Sequence, residues 1–333
     1  MSRFSVDLLE FDAIKALVGR YVSSPTGRLE LDRVEPGTDR ATLEQSLAET
    51  GEAIAYLDAS AQPQAAIRGA AIRLRFEGLP DIAGHLARLA ITGSVLEGNE
   101  IREITTLLDR ACDVRAVVSA TASRFPRLGT RASRIAEFRP LLRELAGKIE
   151  PDGSVSDHAS VALNRIRRDM ERQQRLIQES LEKFLRLHRD DGILQEEFVT
   201  FRNERFVLPV IAGQKKKISG IIHAASGSGH TLFIEPFDTV ELNNDLVRLR
   251  EEELREVFRI LEEVSGRLRE SVHQIAAAVQ VLGELELFFA KARFAGDFRA
   301  VIPAFGPRLS LCAARHPLLI DVLGRQRKEV VPL

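Results

Sequence analysis

Residues 196–244 read EEFVTFRNERFVLPVIAGQKKKISGIIHAASGSGHTLFIEPFDTVELNN. Four short apolar or alternating runs stand out in it, at 198–202, 205–211, 217–224 and 231–235. They are rich in residues that suit a pleated, half-buried surface. Asn203-Glu204, the segment 212–216 and Ser226-Gly227-Ser228-Gly229 separate them, and these are turn residues. The spacing predicts a small antiparallel β meander with Lys215-Lys216-Lys217 at a hairpin tip.

Helical patterns flank this module on both sides. Upstream, Leu163, Met170, Ile177 and Phe184 fall seven apart, with Ile166 and Leu187 at a weaker partner position. The run 158–188 predicts about 46 Å of helix at ~1.5 Å per residue. Downstream, Leu242, Leu246, Leu249, Val257, Ile260, Val264 and Leu268 recur at steps of three and four with only Glu253 out of step, and the pattern runs on to about Ala295. Unbroken, that is roughly 85 Å. Asp238 with Glu241 reads as a capping box, and Gly266 and Gly283 as the expected kinks. Neither stripe can be buried by its own helix, so the two are expected to pack antiparallel with the β module at the turn.

Residues 1–150 carry further helical periods, at 6–21, 41–57 (with Thr38 or Asp39 as cap), 81–90, 99–119 and 139–149. Segments 23–27 and 59–69 read as loops, 308–314 as a strand, and 330–333 as a strand-like end. The expected organisation is a helical core (1–150), an ascending lever helix (151–195), a β-rich module (196–238), a descending lever helix (239–297) and a linker (298–333). The fold class is mainly α with a small antiparallel β module.

Composition narrows the function. Among 333 residues 29% are charged, 6% are aromatic and none is Trp, with a net charge of −1. That balance suits long helices better than an aromatic-lined pocket, and no global field draws nucleic acid or an anionic membrane. Any such attraction must come from local clusters. Cys112 and Cys312 form no CxxC pattern, the N-terminus is no secretory signal, and no apolar run nears the ~20 residues of a membrane span. A cytoplasmic protein is the expectation.

No GxxxxGK[ST] phosphate loop occurs, so ATP hydrolysis by this stretch is not expected. The segment Ser226–His230 is a flexible turn that offers backbone N–H groups to an anion but lacks a lysine. His223, Ser226 or Ser228, and Glu235 or Asp238 have the side chains of a hydrolase triad without GxSxG. His223 and His230 lack partners at metal-ligand spacing. Basic clusters carry more. Lys215, Lys216 and Lys217, with Arg202 and Arg205 nearby in sequence, suit sequence-tolerant phosphate binding, and equally suit lysines that keep a strand edge soluble. A second stretch, Arg124, Arg127, Arg131, Arg134, Arg139, Arg143 and Lys148, faces nucleic acid or pairs with the acidic segment 251–256. Arg165, Arg167, Arg168, Arg172 and Arg175, interspersed with Asp169 and Glu171, read as a solvated face.

Seven strings in order, LEFDAIKALVGRYVSSPTGR (9–28), AETGEAIAYL (48–57), PDGSVSDHASVALNRIR (151–167), RNERFVLPV (202–210), HAASGSGHTLFIEP (223–236), ELNNDL (241–246) and ARHPLL (314–319), resemble the MutS-two branch of the MutS family. The resemblance spans nearly the whole chain. It implies a helical core, a two-helix lever and a clamp at the lever tip. An ATPase using ATP and Mg would lie beyond Leu333, with an Smr-type nuclease domain after it in the parent protein. It further implies a homodimer that grips branched DNA, or collided ribosomes through their RNA. The chain opens directly on core-like helices, without the mismatch-reading domains of true MutS. It departs from the family pattern at Ala224, where an acid is usual, and at Ile211, where a base is usual. An adaptor that uses the helical hairpin for protein contact alone is the competing expectation.

Overall fold

The computed structural model describes residues 8–61, 74–196, 198–326 and 328–333. The elements are α1 (Phe11–Gly19), α2 (Pro25–Asp32), α3 (Arg40–Ser60), α4 (Ala83–Leu89), α5 (Gly98–Ala120), α6 (Pro126–Ala132), α7 (Arg139–Leu145) and α8 (Val161–Leu187). They continue with β1 (Thr200–Arg202), β2 (Arg205–Ile211), a 3-10 turn (Ala212–Lys217), β3 (Gly220–Ala225), β4 (Thr231–Pro236), α9 (Phe237–Glu270), α10 (Val272–Phe298) and α11 (Pro317–Arg325). The fold is mainly helical with one four-stranded antiparallel sheet. Residues 6–7 of the first predicted helix, and 62–69 of the loop predicted at 59–69, lie outside the described residues.

The chain divides into two compact units, Met1–Ala146 with Ser265–Leu333, and Gly147–Val264. In the first unit α10 is buried nearly all round from Val281 to Ala292 and packs chiefly on α2 and α3. A helix without a polar face belongs at the centre of a bundle. Tyr56 is fully buried, with ring centroids 5.1 Å from Phe125 and 5.3 Å from Phe289. Glu286, on α10, accepts from the backbone N–H groups of Ser23 (2.6 Å) and Ser24 (3.0 Å) and from both serine hydroxyls. Ser24 in turn caps α2, with Pro25 at its first position. The break read at 23–27 is therefore a helix start.

Of the two caps expected for the next helix, one is observed, and other boundaries are corrected. Asp39 is the cap of α3, accepting from Thr42 N. Neither Gly266 nor Gly283 interrupts its helix; the break falls at Ser271. Gly283 instead allows close packing, since a Cβ there would lie 2.7 Å from the Thr26 carbonyl oxygen. Asp238 lies within the first turn of α9 and is no cap, because the helix starts directly after β4. Segments 308–314 and 330–333 form no strand: among the described residues each meets backbone partners only through a single bond, Leu333 N–H to Ala314 O (2.9 Å).

In the second unit α8 and the part of α9 up to Val264 run antiparallel. Lys148 reaches Glu263, Ser160 reaches Glu256, Arg167 reaches Glu253 and Gln173 reaches the Leu242 carbonyl, so partners fall along α9 as they rise along α8. Past that ladder the hairpin is closed by the sheet. Ile177 and Leu181 of α8, Leu246 of α9, Leu208 and Val210 of β2, and Ile234 of β4 form one buried cluster with Ile193 and Ile218.

The sheet is not a meander. Its order is β1-β2-β4-β3, so β4 sits between β2 and β3 and the 3-10 turn crosses from one to the other. Burial explains this arrangement: β2 and β4 carry the most apolar inner faces and take the centre, while the more exposed β3 takes an edge. Pro209 is tolerated inside β2 because its carbonyl, and hence its missing donor, faces the short bridging segment at Gln195 rather than β4.

Candidate nucleic-acid interface

Asn203 and Glu204 close β1 onto β2 with φ of 49° and 65°. Two left-handed residues in a two-residue loop match the right-handed twist of the flanking strands. The turn is tied down on both sides. Asn203 Nδ2 donates to the His223 carbonyl (2.9 Å), and Arg250 donates to the Glu204 carbonyl (2.9 Å). Arg202 and Arg205 lie directly opposite each other in register and therefore share a face.

That outer face carries a polar hub. Glu235 of β4 is completely buried, and Arg205 Nη1 reaches its two oxygens at 2.9 and 3.2 Å. His223 Nε2 meets the same carboxylate at 2.6 Å. Arg205 Nη2 also donates to Asn244 Oδ1 (2.6 Å), and the buried Asn243 exchanges two hydrogen bonds with the backbone of Phe206. A buried carboxylate is tolerated only when paired and hydrogen-bonded, and here it is. Its strand sequence TLFIEP held the signal: an acid within an apolar strand requires a cation. Sequence reasoning passed over Asn243 and Asn244 and weighed Glu235 only as a catalytic acid.

The cations fall into two groups. Lys215, Lys216 and Lys217 are exposed on the 3-10 turn, and none pairs with a carboxylate among the described residues. Arg202 is exposed, its guanidinium 4.8 Å from the Phe233 ring centroid. Arg205, by contrast, is committed to Glu235 and Asn244. The hydrolase arrangement is only half assembled: His223 meets Glu235, but Ser226 Oγ lies 3.3 Å from Ser228 Oγ and accepts from Thr231 N (3.1 Å), and neither serine bonds His223 among the described residues. No metal-holding cluster occurs among the described residues.

The arginine-rich stretch of the first unit is largely neutralised in place. Arg131 reaches Glu49 (2.6 Å) and Glu284 (2.9 Å), Arg134 reaches Glu284 (2.9 Å), and Arg139 bridges Asp109 (2.6 Å) and Asp113 (2.5 Å). Lys148, in the second unit, meets Glu263. None of these partners is in the segment 251–256.

An antiparallel helical hairpin closed by a small sheet, with a cationic crossover turn and a buried Arg–Glu–His hub, defines a mainly helical, β-capped hairpin protein. No family model matches the chain. It is 34% identical over 317 residues to Endonuclease MutS2 of Listeria monocytogenes serotype 4a (strain HCC23), covering 94% of this chain and 39% of that protein. Endonuclease MutS2 of Geobacillus sp. (strain WCH70) is 32% identical over the same coverage, and that of Bacillus velezensis (strain DSM 23117 / BGSC 10A6 / LMG 26770 / FZB42) is 34% identical over 316 residues. The chain thus spans about two fifths of the length of these relatives. It belongs to the MutS2 family. No helix among the described residues is long and apolar enough to cross a membrane.

Proposed function

We propose that the sheet end of the hairpin grips the sugar–phosphate backbone of nucleic acid. One observation carries this: three consecutive lysines stand exposed on the crossover turn with no carboxylate partner among the described residues. Lys215, Lys216, Lys217 and Arg202 are the phosphate contacts, and Arg205 holds the strands through Glu235. Contacts of this kind position a protein on a backbone without reading bases, so binding is sequence-tolerant. Branched DNA and structured ribosomal RNA both present such a backbone. On this reading ATP and Mg act in a domain outside residues 1–333, and the protein works in the cytoplasm as a homodimer.

The test is affinity for a DNA four-way junction and for a structured ribosomal RNA across a salt series, before and after Lys215, Lys216 and Lys217→Ala. Loss of three phosphate contacts lowers the slope of log K against log salt by roughly 2 to 3, at ~0.7–0.9 per contact. An unchanged affinity and slope removes the turn from the binding surface. If the chain ignores both nucleic acids at low salt, the protein-contact adaptor is the better reading.

A further inference from the structure

We propose that the solvent face of α8 is a second backbone-binding surface, an arginine rail that takes the phosphates of a nucleic-acid duplex. The proposal rests on the nucleic-acid reading above and adds a separate site to it.

Arg165, Arg168, Arg172 and Arg175 follow one another at steps of three, four and three, which places them on one helical face. All four are exposed, and the face lies opposite the buried one that carries Leu163, Ile177 and Leu181. At ~1.5 Å per residue the rail is about 15 Å long. Its neutralisation is thin. Arg165 and Arg172 share the single carboxylate of Asp169, each at 3.6 Å. Arg175 donates only to the Glu171 carbonyl (3.3 Å), and Arg168 has no polar partner among the described residues.

The other helix of the hairpin behaves differently. On α9, Arg255 pairs with Glu251 at 2.8 Å, and Arg259 pairs with Glu256 at 2.8 Å and Glu263 at 3.2 Å. From 161 to 187 the sequence has seven basic and four acidic residues, whereas from 237 to 264 it has four basic and nine acidic. Like charges three or four apart weaken a helix by a few tenths of a kcal/mol per pair. Three such pairs in a row, relieved only by Asp169 at 3.6 Å while Arg255 and Arg259 of the partner helix each meet a carboxylate at 2.8 Å, break a local rule in the way functional surfaces do. Arginine is also the side chain whose planar fork matches phosphate oxygens two at a time. A duplex backbone, with a charge every ~1.7 Å of axis, is the polyanion that can load such a rail along its length.

The experiment measures binding of a fluorescent linear duplex by the 333-residue chain across a salt series. Three variants are compared with it: Arg165, Arg168, Arg172 and Arg175→Gln together, Arg168 and Arg175→Gln alone, and Arg255 and Arg259→Gln as a control of equal charge change. The rail account expects the fourfold variant to lose about 3.6 in the log–log slope, the Arg168/Arg175 pair about half that, and the control almost nothing, at ~0.9 per contact. Circular dichroism confirms folding, and the milder double variant answers if the fourfold one unfolds. Slopes equal to wild type in both rail variants overturn the proposal. So does an equal loss in the control, which would make the effect one of net charge. A change confined to self-association, with duplex affinity intact, overturns it in favour of a second copy on this face. If only the Lys215–Lys217 variant loses binding, the rail fails while the functional reading stands; a wild-type chain that binds no duplex defeats both.

Discussion

His223 Nε2 lies 2.6 Å from Glu235 Oε2, and the irregularity in β3 accompanies that contact. Ile222 pairs with Ile234 and Ala224 with Phe233, which leaves His223 as the extra residue of a β-bulge. Bulges re-aim side chains, and this one brings the imidazole to the carboxylate that also holds Arg205. Removing one member of a buried ion pair strands the other. Arg205 keeps some solvent contact, so Glu235→Gln is expected to cost about 2 kcal/mol, below the ~3–5 kcal/mol of a fully buried pair. Urea unfolding measures it, and a loss under about 0.5 kcal/mol would show that the hub does not hold the sheet.

Glu204 pays for its left-handed backbone, about 1 kcal/mol for a residue with a Cβ. Glycine relieves this strain but loosens the unfolded chain. Glu204→Gly should therefore raise stability by a net ~0.5 kcal/mol, since its carbonyl bond from Arg250 survives. Asn203→Ala should lower it by about 1 kcal/mol through the lost bond to His223. Thermal midpoints of the two variants moving in the same direction would refute this account of the turn.

Arg259, and then Ser160, hold the Glu256 carboxyl at about 2, well below the usual 4.5. Because the folded value is the lower one, the stabilisation is present above about pH 4.5 and is lost as pH falls toward 2. Ser160 also caps α8 by accepting from Leu163 N (3.0 Å). Ser160→Ala is expected to cost about 1 kcal/mol at pH 7 and less near pH 2.5, where Glu256 is gaining its proton. Denaturant titrations at the two pH values give the comparison; an equal cost at both would remove Glu256 from the account.

Burial, and then the hydrogen bond it donates to Asp297 (2.6 Å), push the Tyr21 hydroxyl up to about 12. A raised value means the contribution is intact below pH 10 and disappears as pH climbs through 12. The chain has only two tyrosines, so the difference in tyrosinate absorbance between wild type and Tyr21→Phe isolates this group. A transition near 10 would contradict the packing of Tyr21.

Two glycines separate packing from propensity. Around Gly266 nothing lies within 4 Å of an added Cβ, so Gly266→Ala should gain up to ~1 kcal/mol of helix propensity. At Gly283 a Cβ would meet the Thr26 carbonyl oxygen at 2.7 Å, so Gly283→Val should cost about 2 to 3 kcal/mol. Equal effects in chemical denaturation would mean that the α2–α10 approach is looser than described.

Much of the architecture was legible in the residues. The four β runs, the long helices on either side and their antiparallel pairing follow from hydrophobic period and turn chemistry, which are local. The same locality explains the misses. Asn203-Glu204 announces a hairpin between β1 and β2, but nothing in the lysine turn tells whether β3 pairs with β2 or leaves room for β4. Gly266 and Gly283 look alike in sequence, yet only one of them touches a neighbouring helix.

Seven strings placed the chain in its family, and one of them held the lysine run's neighbours Arg202 and Arg205 side by side as equal cations. By itself the sequence determined which segments are helix or strand and where charge accumulates, because those depend on residues close along the chain. The tertiary structure decided which charges remain free. Arg205 is claimed by an acid 30 residues away, the 131–139 arginines by acids on three other helices and Arg167 by Glu253, while Lys215–Lys217, Arg168 and Arg175 meet no carboxylate among the described residues. Charge neutralisation between separate elements is a matter of distance in space, and spacing along the chain records only the pairs three or four apart within one helix.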